Sequence, residues 1–311
     1  MSIVKRKFHI TLLIVAALTF SWFPYTSAQE DHNIIQLTNG PAIECFPSWS
    51  PDNKSLVYSY ISQDKISDKT GLWIISADSS TKKQICFEIA EHPQWSPDGK
   101  FIIFDADSGR NVKMINSSGG NPINVLPDYI HINKGGLPCW SPDGNKFAFK
   151  DENYAIWIKE LISDSLTRIY HKEDVISLPT CWTPDGKSIL IAEMKKTTRN
   201  STIRKISADG RQDNQIEGHH IGFYRYISIS PDGLLLIYTA KAGKYLGLWV
   251  IPAEGGKTIP LMESESGHTE SPCWSPDGRK IAFTGSRNGN IDVYIMYTEP
   301  DQIKKELHLT E

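Results

Sequence analysis

The 311-residue chain has no surplus of basic charge, few cysteines and no apolar run long enough to cross a bilayer. Lysine and arginine number 33 against 36 acidic residues, so the phosphate-neutralising surface of a nucleic-acid binder is missing. Five cysteines, Cys45, Cys86, Cys139, Cys181 and Cys273, are too sparse for a disulfide scaffold, and the odd number leaves at least one unpaired within the chain. The apolar stretch Ile10 to Phe20 is well short of the roughly 20 residues a spanning helix needs. Lys5, Arg6 and Lys7 precede it, Pro24 follows, and Thr26, Ser27 and Ala28 end it. This order predicts a signal peptide over residues 1–28, cleaved near Gln29, and a periplasmic or secreted mature chain that is not an integral membrane protein. Its removal leaves 30 cationic against 36 acidic residues, a formal charge of −6.

Catalytic signatures are missing too. No Gly-x-Ser-x-Gly elbow, His-Glu-x-x-His helix, phosphate loop or dinucleotide fingerprint occurs. The segment Asp105-Ala-Asp107-Ser-Gly109 resembles a calcium loop but lacks a third oxygen ligand before the glycine and the distal glutamate. It reads as a turn. Helical periodicity is absent between the apolar segments, and those segments are short, so the fold class is all-β.

What the chain does have is one pattern six times over: an aromatic or apolar residue, Ser or Thr, Pro, Asp, Gly or Asn, then an apolar run. The copies begin at Trp49, Trp95, Trp140, Trp182, Ile229 and Trp274. Their aspartates, Asp52, Asp98, Asp143, Asp185, Asp232 and Asp277, recur at close to 45 residues, and six periods fill the mature chain. Each period carries four apolar segments. Ser-Pro-Asp-Gly composes a type I turn between the first two. The second segments, such as Phe101-Ile-Ile-Phe104, are almost continuously apolar, so both faces are covered. A ring of four-stranded blades covers both faces and leaves only short edges, so residues 29–311 are expected to form one six-bladed β-propeller of antiparallel blades, acting as a monomer.

The eight tryptophans of the mature chain fall at the turn motif or on third strands, where blade-to-blade packing needs bulk. Cys139, Cys181 and Cys273 each precede a motif tryptophan, where other copies carry Ser48, Gln94 or Ser228, so the position accepts small or slender side chains rather than building a metal site. Two segments compete to close the ring: Ile34-Ile-Gln-Leu-Thr38 and Glu306-Leu-His-Leu-Thr310 both read as fourth strands. The N-terminal one is favoured beside residues 272–296, because mixing the termini avoids an open edge.

The stretch from His268 to Met296, with Leu37-Thr38 and Leu309-Thr310, resembles the TolB-like, WD-repeat-like propeller family over residues 33–311. Similar repeats form the non-catalytic propellers of serine oligopeptidases and tricorn-like proteases. The resemblance implies the propeller and a habit of binding a protein or peptide at the channel mouth.

The residues entering each first strand should gather at that mouth, pooling groups distant in sequence: Glu44, Glu91 with His92, His131, Asp174, His219 with His220, Arg225 with Tyr226, and His268 with Glu270. Glu91, His92, Arg225, Tyr226, His268 and Glu270 are the candidate partner contacts, Arg and Tyr being common among interface anchors. Glu91 and Glu270 share one offset before their tryptophans, Glu44 lies one residue earlier, and with the net charge they favour a basic partner. The expected function is an exported non-enzymatic scaffold with no cofactor and no catalytic or metal residue. The alternatives are a metal-dependent propeller enzyme such as a carbohydrate lyase, with His92, His131, His220 and His268 as the ligands to suspect, and a small-ligand sensor.

Overall fold

The computed structural model describes residues 33–64, 68–216, 225–242, 244–263, 267–286 and 289–309; the expected signal peptide and the His219–His220 pair lie outside them. The first strand is β1 (Ile34–Gln36). Blade one comprises β2 (Ile43–Trp49), β3 (Ser55–Ile61), β4 (Gly71–Ser76) and β5 (Lys82–Cys86), and blade two β6 (Ala90–Trp95), β7 (Phe101–Ala106), β8 (Asn111–Asn116) and β9 (Ile123–Asn124). Blade three comprises β10 (Cys139–Trp140), β11 (Lys146–Lys150), β12 (Ile156–Glu160) and β13 (Leu166–Tyr170), and blade four β14 (Val175–Trp182), β15 (Ser188–Lys195), β16 (Ser201–Ser207) and β17 (Asp213–Ile216). Blade five comprises β18 (Arg225–Ile229), β19 (Leu235–Ala242), β20 (Tyr245–Pro252) and β21 (Ile259–Met262). Blade six is built from β22 (Thr269–Trp274), β23 (Lys280–Gly285) and β24 (Asp292–Tyr297). The result is six four-stranded antiparallel sheets, a six-bladed β-propeller.

The apolar second strands divide their side chains between two neighbours. On β3, Leu56 and Tyr58 pack with Ala282, Val293 and Ile295 of blade six, while Val57 packs with Ile102 and Phe104 of blade two. Successive strand side chains point to opposite faces, so an unbroken apolar run is what two buried faces require.

Each turn motif is wired alike. In blade two Ser96 Oγ donates to Asp98 Oδ1 at 2.6 Å and accepts from the Phe101 amide at 2.9 Å, and Asp98 Oδ1 accepts from the Lys100 amide at 3.0 Å. The serine bond holds the Asp98 carboxyl below its ordinary range, and Asp52 and Asp143 behave likewise. Gly99 sits at φ +73° against Pro51 of the preceding blade; a Cβ there would stand 3.3 Å from Pro51 Cγ. Gly144 meets Pro97, Gly186 Pro142, Gly233 Pro184 and Gly278 Pro231 in the same way. At the seam Asn53 (φ 61°) takes the glycine's place, and its Oδ1 accepts from the Asp277 amide at 3.1 Å. The motif therefore stacks each blade on the next. Just above it, Trp140 Nε1 donates to Gln94 O at 3.2 Å and Trp182 Nε1 to Cys139 O at 3.1 Å, tying tryptophan to the neighbouring blade.

The ring closes through β1, which pairs with β24 in the register Ile34 to Met296 and Gln36 to Tyr294. The competing expectation, a strand over residues 304–310, is corrected. Residues Pro300–Glu306 form α1 instead, with Pro300 at its first position, Asp301 in the first turn and Lys304 and Lys305 in the last. The outer edge is already occupied by β1, and the helix instead buries Ile303 and Leu307 beside Met296, Ile259 and Ile34.

Candidate site at the channel mouth

Three residues before each motif aromatic stand Phe46, His92, Leu137, Pro179, Tyr226 and Ser271. Five of them have positive φ, between 51° and 57°, and pairing skips a residue there on β2, β6, β18 and β22. Pro179, whose ring fixes a negative φ, marks the corresponding skip on β14. These are β-bulges, which re-aim side chains. The effect is to bring rings from three blades together. Phe46 lies 4.1 Å from His92 and 5.7 Å from Tyr226, and His92 stacks on Tyr226 at 6.0 Å between centroids. Blade five is two blades away from blade one, so the Phe46 to Tyr226 contact reaches across the channel. An aromatic floor spans it at this level.

His92 is fixed from behind. Its Nδ1 is 2.9 Å from Asp105 Oδ2, and Asp105, buried on β7, also accepts from the Gly136 amide at 2.6 Å and the Leu137 amide at 3.2 Å. Asp105 thus binds blade two to blade three. Its Nε2 is buried and has no hydrogen-bond partner among the described residues. The loop after Asp105 is the expected turn: Asp107 and Ser108 have positive φ, and the Gly109 and Arg110 amides donate to Ala106 O.

One residue before the bulge the ring holds Cys45, Glu91 and Glu270 on blades one, two and six, and Arg225, opposite Thr239, on blade five. Burial pushes the Cys45 thiol well above its ordinary value, and the charges of Glu91, Glu270 and Glu44 push it further. Glu91 and Glu270 are half-buried and make no hydrogen bond or ion pair among the described residues.

Other candidates stand elsewhere. Glu44 is not a mouth residue: at 1% exposure it accepts from Tyr58 Oη at 3.2 Å and from Lys82 Nζ at 2.7 Å. The bulge at Phe46 lies two residues later, which leaves Glu44 in regular register between the blades. His268 is exposed, its Nδ1 accepting from the Leu246 amide at 3.1 Å and its ring edge-on to Tyr245. His131 is exposed in the long connection before β10, where with Arg110 and Glu152 it borders a pocket of about 410 Å³. Asp174 is exposed ahead of β14. All five cysteines are free, and Cys273 Sγ donates to Pro47 O at 3.0 Å as a packing group between blades. Among the described residues no three His, Cys, Asp or Glu side chains gather as a metal-ligand set, so His92, His131 and His268 do not form one. Phe46 and Asp105 were missed by sequence reasoning; aligning the repeats on the tryptophan exposes the offset that marks Phe46, His92 and Tyr226 together.

In fold, the chain is a TolB-like six-bladed propeller. It superposes on a structure from Agrobacterium tumefaciens assigned to TolB with a TM-score of 0.63 at 21% identity, covering 86% of this chain and 97% of that one. An oligogalacturonate lyase solved in complex with manganese superposes with a TM-score of 0.61 at 13% identity, covering 89% and 96%. In sequence the chain is 27% identical over 261 residues to an uncharacterized protein of Agrobacterium fabrum, covering 76% of this chain and 83% of that protein. It is 23% identical over 321 residues to dipeptidyl-peptidase 5 of Porphyromonas gingivalis, covering 82% of this chain but only 46% of the peptidase. No family model matches. No helix among the described residues is long and apolar enough to cross a membrane.

Proposed function

We propose that the protein is an exported, non-enzymatic propeller scaffold that binds a protein or peptide partner through a basic segment seated at the channel mouth. The observation that carries this reading is the pair of half-buried carboxylates, Glu91 and Glu270, without an ion-pair partner among the described residues, beside a floor of Phe46, His92 and Tyr226. Half-buried charge without a partner is costly unless a counter-charge arrives. An aromatic floor beside it accepts the apolar stem of lysine or arginine and attracts its cationic head. The periplasm is the compartment that the leader-like N-terminus and the TolB-like fold favour. The exposed His268 adds a contact at the periphery of the same mouth.

The test is affinity capture from the exported fraction with wild-type protein, with a Glu91→Gln/Glu270→Gln/Tyr226→Ala variant, and with an Asp143→Asn/Asp185→Asn variant at the opposite face. A partner retained by the turn-face variant, lost from the mouth variant and released by moderate salt is the expected result. A partner lost only from the turn-face variant overturns the assignment. Metal analysis of the same preparations separates this reading from an enzyme: stoichiometric manganese, zinc or iron lost on joint replacement of His92, His131, His220 and His268 would favour catalysis.

A further inference from the structure

Closure of the ring places two buried carboxyls face to face. Glu44 on β2 and Asp292 at the start of β24 are each 1% exposed. The Glu44 amide donates to Ile291 O at 2.9 Å, so the two strands meet across the junction of blades one and six. Asp292 is also the anchor of the N-terminal segment. Its Oδ2 accepts from Gln36 Nε2 at 3.1 Å, its Oδ1 from Thr38 Oγ1 at 3.4 Å, and Thr38 Oγ1 in turn accepts from the Val293 amide at 3.0 Å. The Leu37 and Thr38 amides both donate to Val293 O.

Glu44 Oε1 is satisfied by Tyr58 and Lys82, but Glu44 Oε2 is buried and no N–H or O–H among the described residues donates to it. Its neighbour within hydrogen-bonding reach is the Asp292 carboxyl. Two ionised carboxylates offer each other only acceptors, and like charges at this range cannot both persist without cost. A proton on one of them turns the repulsion into a short, charge-assisted bond. We propose that one proton shared between Glu44 and Asp292 latches the N-terminal strand to the last blade, making ring closure proton-dependent.

The surroundings leave that proton as the means of neutralising the second charge. Facing the pair are Gln36 of β1, Thr38 after it, Tyr58 and Tyr60 of β3 and Lys82 of β5. Lys82 is the cation that reaches the pair among the described residues, and its ammonium is committed to Glu44 Oε1 and to the rings of Tyr58, Tyr60 and Trp73 at 5.3 to 5.4 Å. It balances one carboxylate of two. Burial, followed by the Glu44 charge, pushes the Asp292 carboxyl up to about 6 from 3.8, against the lowering bonds from Thr38 and Gln36. A carboxyl raised in the closed state contributes its full stabilisation below the open-state value, and the contribution is lost as pH rises through the closed-state value. The latch therefore tightens below pH 4 and releases between about pH 4 and 7, without a partner or ligand.

Hydrogen exchange of the Leu37 and Thr38 amides, corrected for the intrinsic rate, reads the latch directly. The wild-type opening constant should rise roughly 100-fold from pH 4 to pH 7, two pK units of linkage, while amides of β17, the outer strand of blade four, show no such rise. Asp292→Asn supplies a permanent N–H donor to Glu44 Oε2 and should flatten the profile; Glu44→Gln, which removes one of the two charges, should flatten it too. Either variant that folds is sufficient. A seam no more pH-dependent than β17 in the wild type, or a profile that persists in a folded variant, overturns the proposal.

Discussion

At the turn end of the propeller Ser96, Asp98 and Gly99 make bonds that recur around the ring, and each proline underlies the next blade's glycine. At the channel mouth the corresponding places hold Cys45 and Phe46, Glu91 and His92, Gly136 and Leu137, Leu178 and Pro179, Arg225 and Tyr226, Glu270 and Ser271. The turn end meets an identical demand six times, stacking a blade on its neighbour, and one solution serves. The mouth has no such shared demand, only a common bulge that aims whatever residue is present. Stability is therefore concentrated at one end, while chemical individuality is concentrated at the other. The seam between blades one and six departs from both patterns, with Asn53 in place of glycine and a buried carboxyl pair beside the apolar packing of Leu56 and Tyr58 on blade six.

The contrast breaks most severely if the shared packing is removed. Trp182 is buried, and its indole N–H is bonded to the neighbouring blade. Trp182→Ala should cost about 3–5 kcal/mol through cavity and lost contact, read as a fall in the denaturant midpoint. Next comes the glycine stack. Gly144 has φ +69°, and its nearest neighbour, Pro97 Cδ, is 3.6 Å from an added Cβ. Space is adequate, so Gly144→Ala should cost only the left-handed backbone penalty of about 1–2 kcal/mol. Gly144→Asn should cost less, because asparagine tolerates that region and Asn53 already occupies it at φ 61°. Equal losses for Ala and Asn would mean that packing on Pro97, not φ, decides the position.

Acid sharpens the same comparison. Serine bonds hold Asp52, Asp98 and Asp143 below the ordinary carboxylate value, so their contribution is present above that value and is lost as pH falls through the lowered one. Asp292 is raised and runs the other way. Hydrogen exchange should then show turn amides such as those of Lys100 and Asn145 loosening at low pH while the Leu37 and Thr38 amides tighten. Parallel behaviour at both places would dissolve the distinction.

The fold was legible because the turn motif is repeated and because unbroken apolar strands demand two covered faces; the six aspartates alone gave the blade count. The closing strand Ile34–Gln36 was legible by edge satisfaction, whereas α1 was not: Glu306-Leu-His-Leu alternates like a strand, and only occupation of the edge by β1 leaves Ile303 and Leu307 to bury from a helix. At the mouth, Glu91, His92, Tyr226 and Glu270 were singled out by their position before the motif aromatic. Phe46 was missed because nothing in Cys45-Phe46-Pro47 departs from a core strand, and the bulge that turns the ring into the channel is a backbone property. Asp105 was read as part of a turn because its partners, Gly136 and Leu137, are 31 and 32 residues away on the next blade. The Glu44–Asp292 pair spans the entire ring and leaves no local trace.

The smallest stability effect is expected at the mouth, where it is the most informative. Glu91 and Glu270 are half-buried and make no ion pair among the described residues, so neutralising them breaks no ion pair. Glu91→Gln/Glu270→Gln should leave the unfolding free energy within about 0.5 kcal/mol of wild type, the range of substitutions that remove no packing or hydrogen bond. The same double variant should lose the salt-sensitive part of binding to a lysine-rich peptide, since attraction between a carboxylate-lined mouth and a cation is screened over about 10 Å at 0.1 M salt. Calorimetric titration at two salt concentrations separates the two effects. Stability lost in step with binding would make the carboxylates part of the scaffold, and the division between a structural end and a recognising end would fail at its most exposed residues.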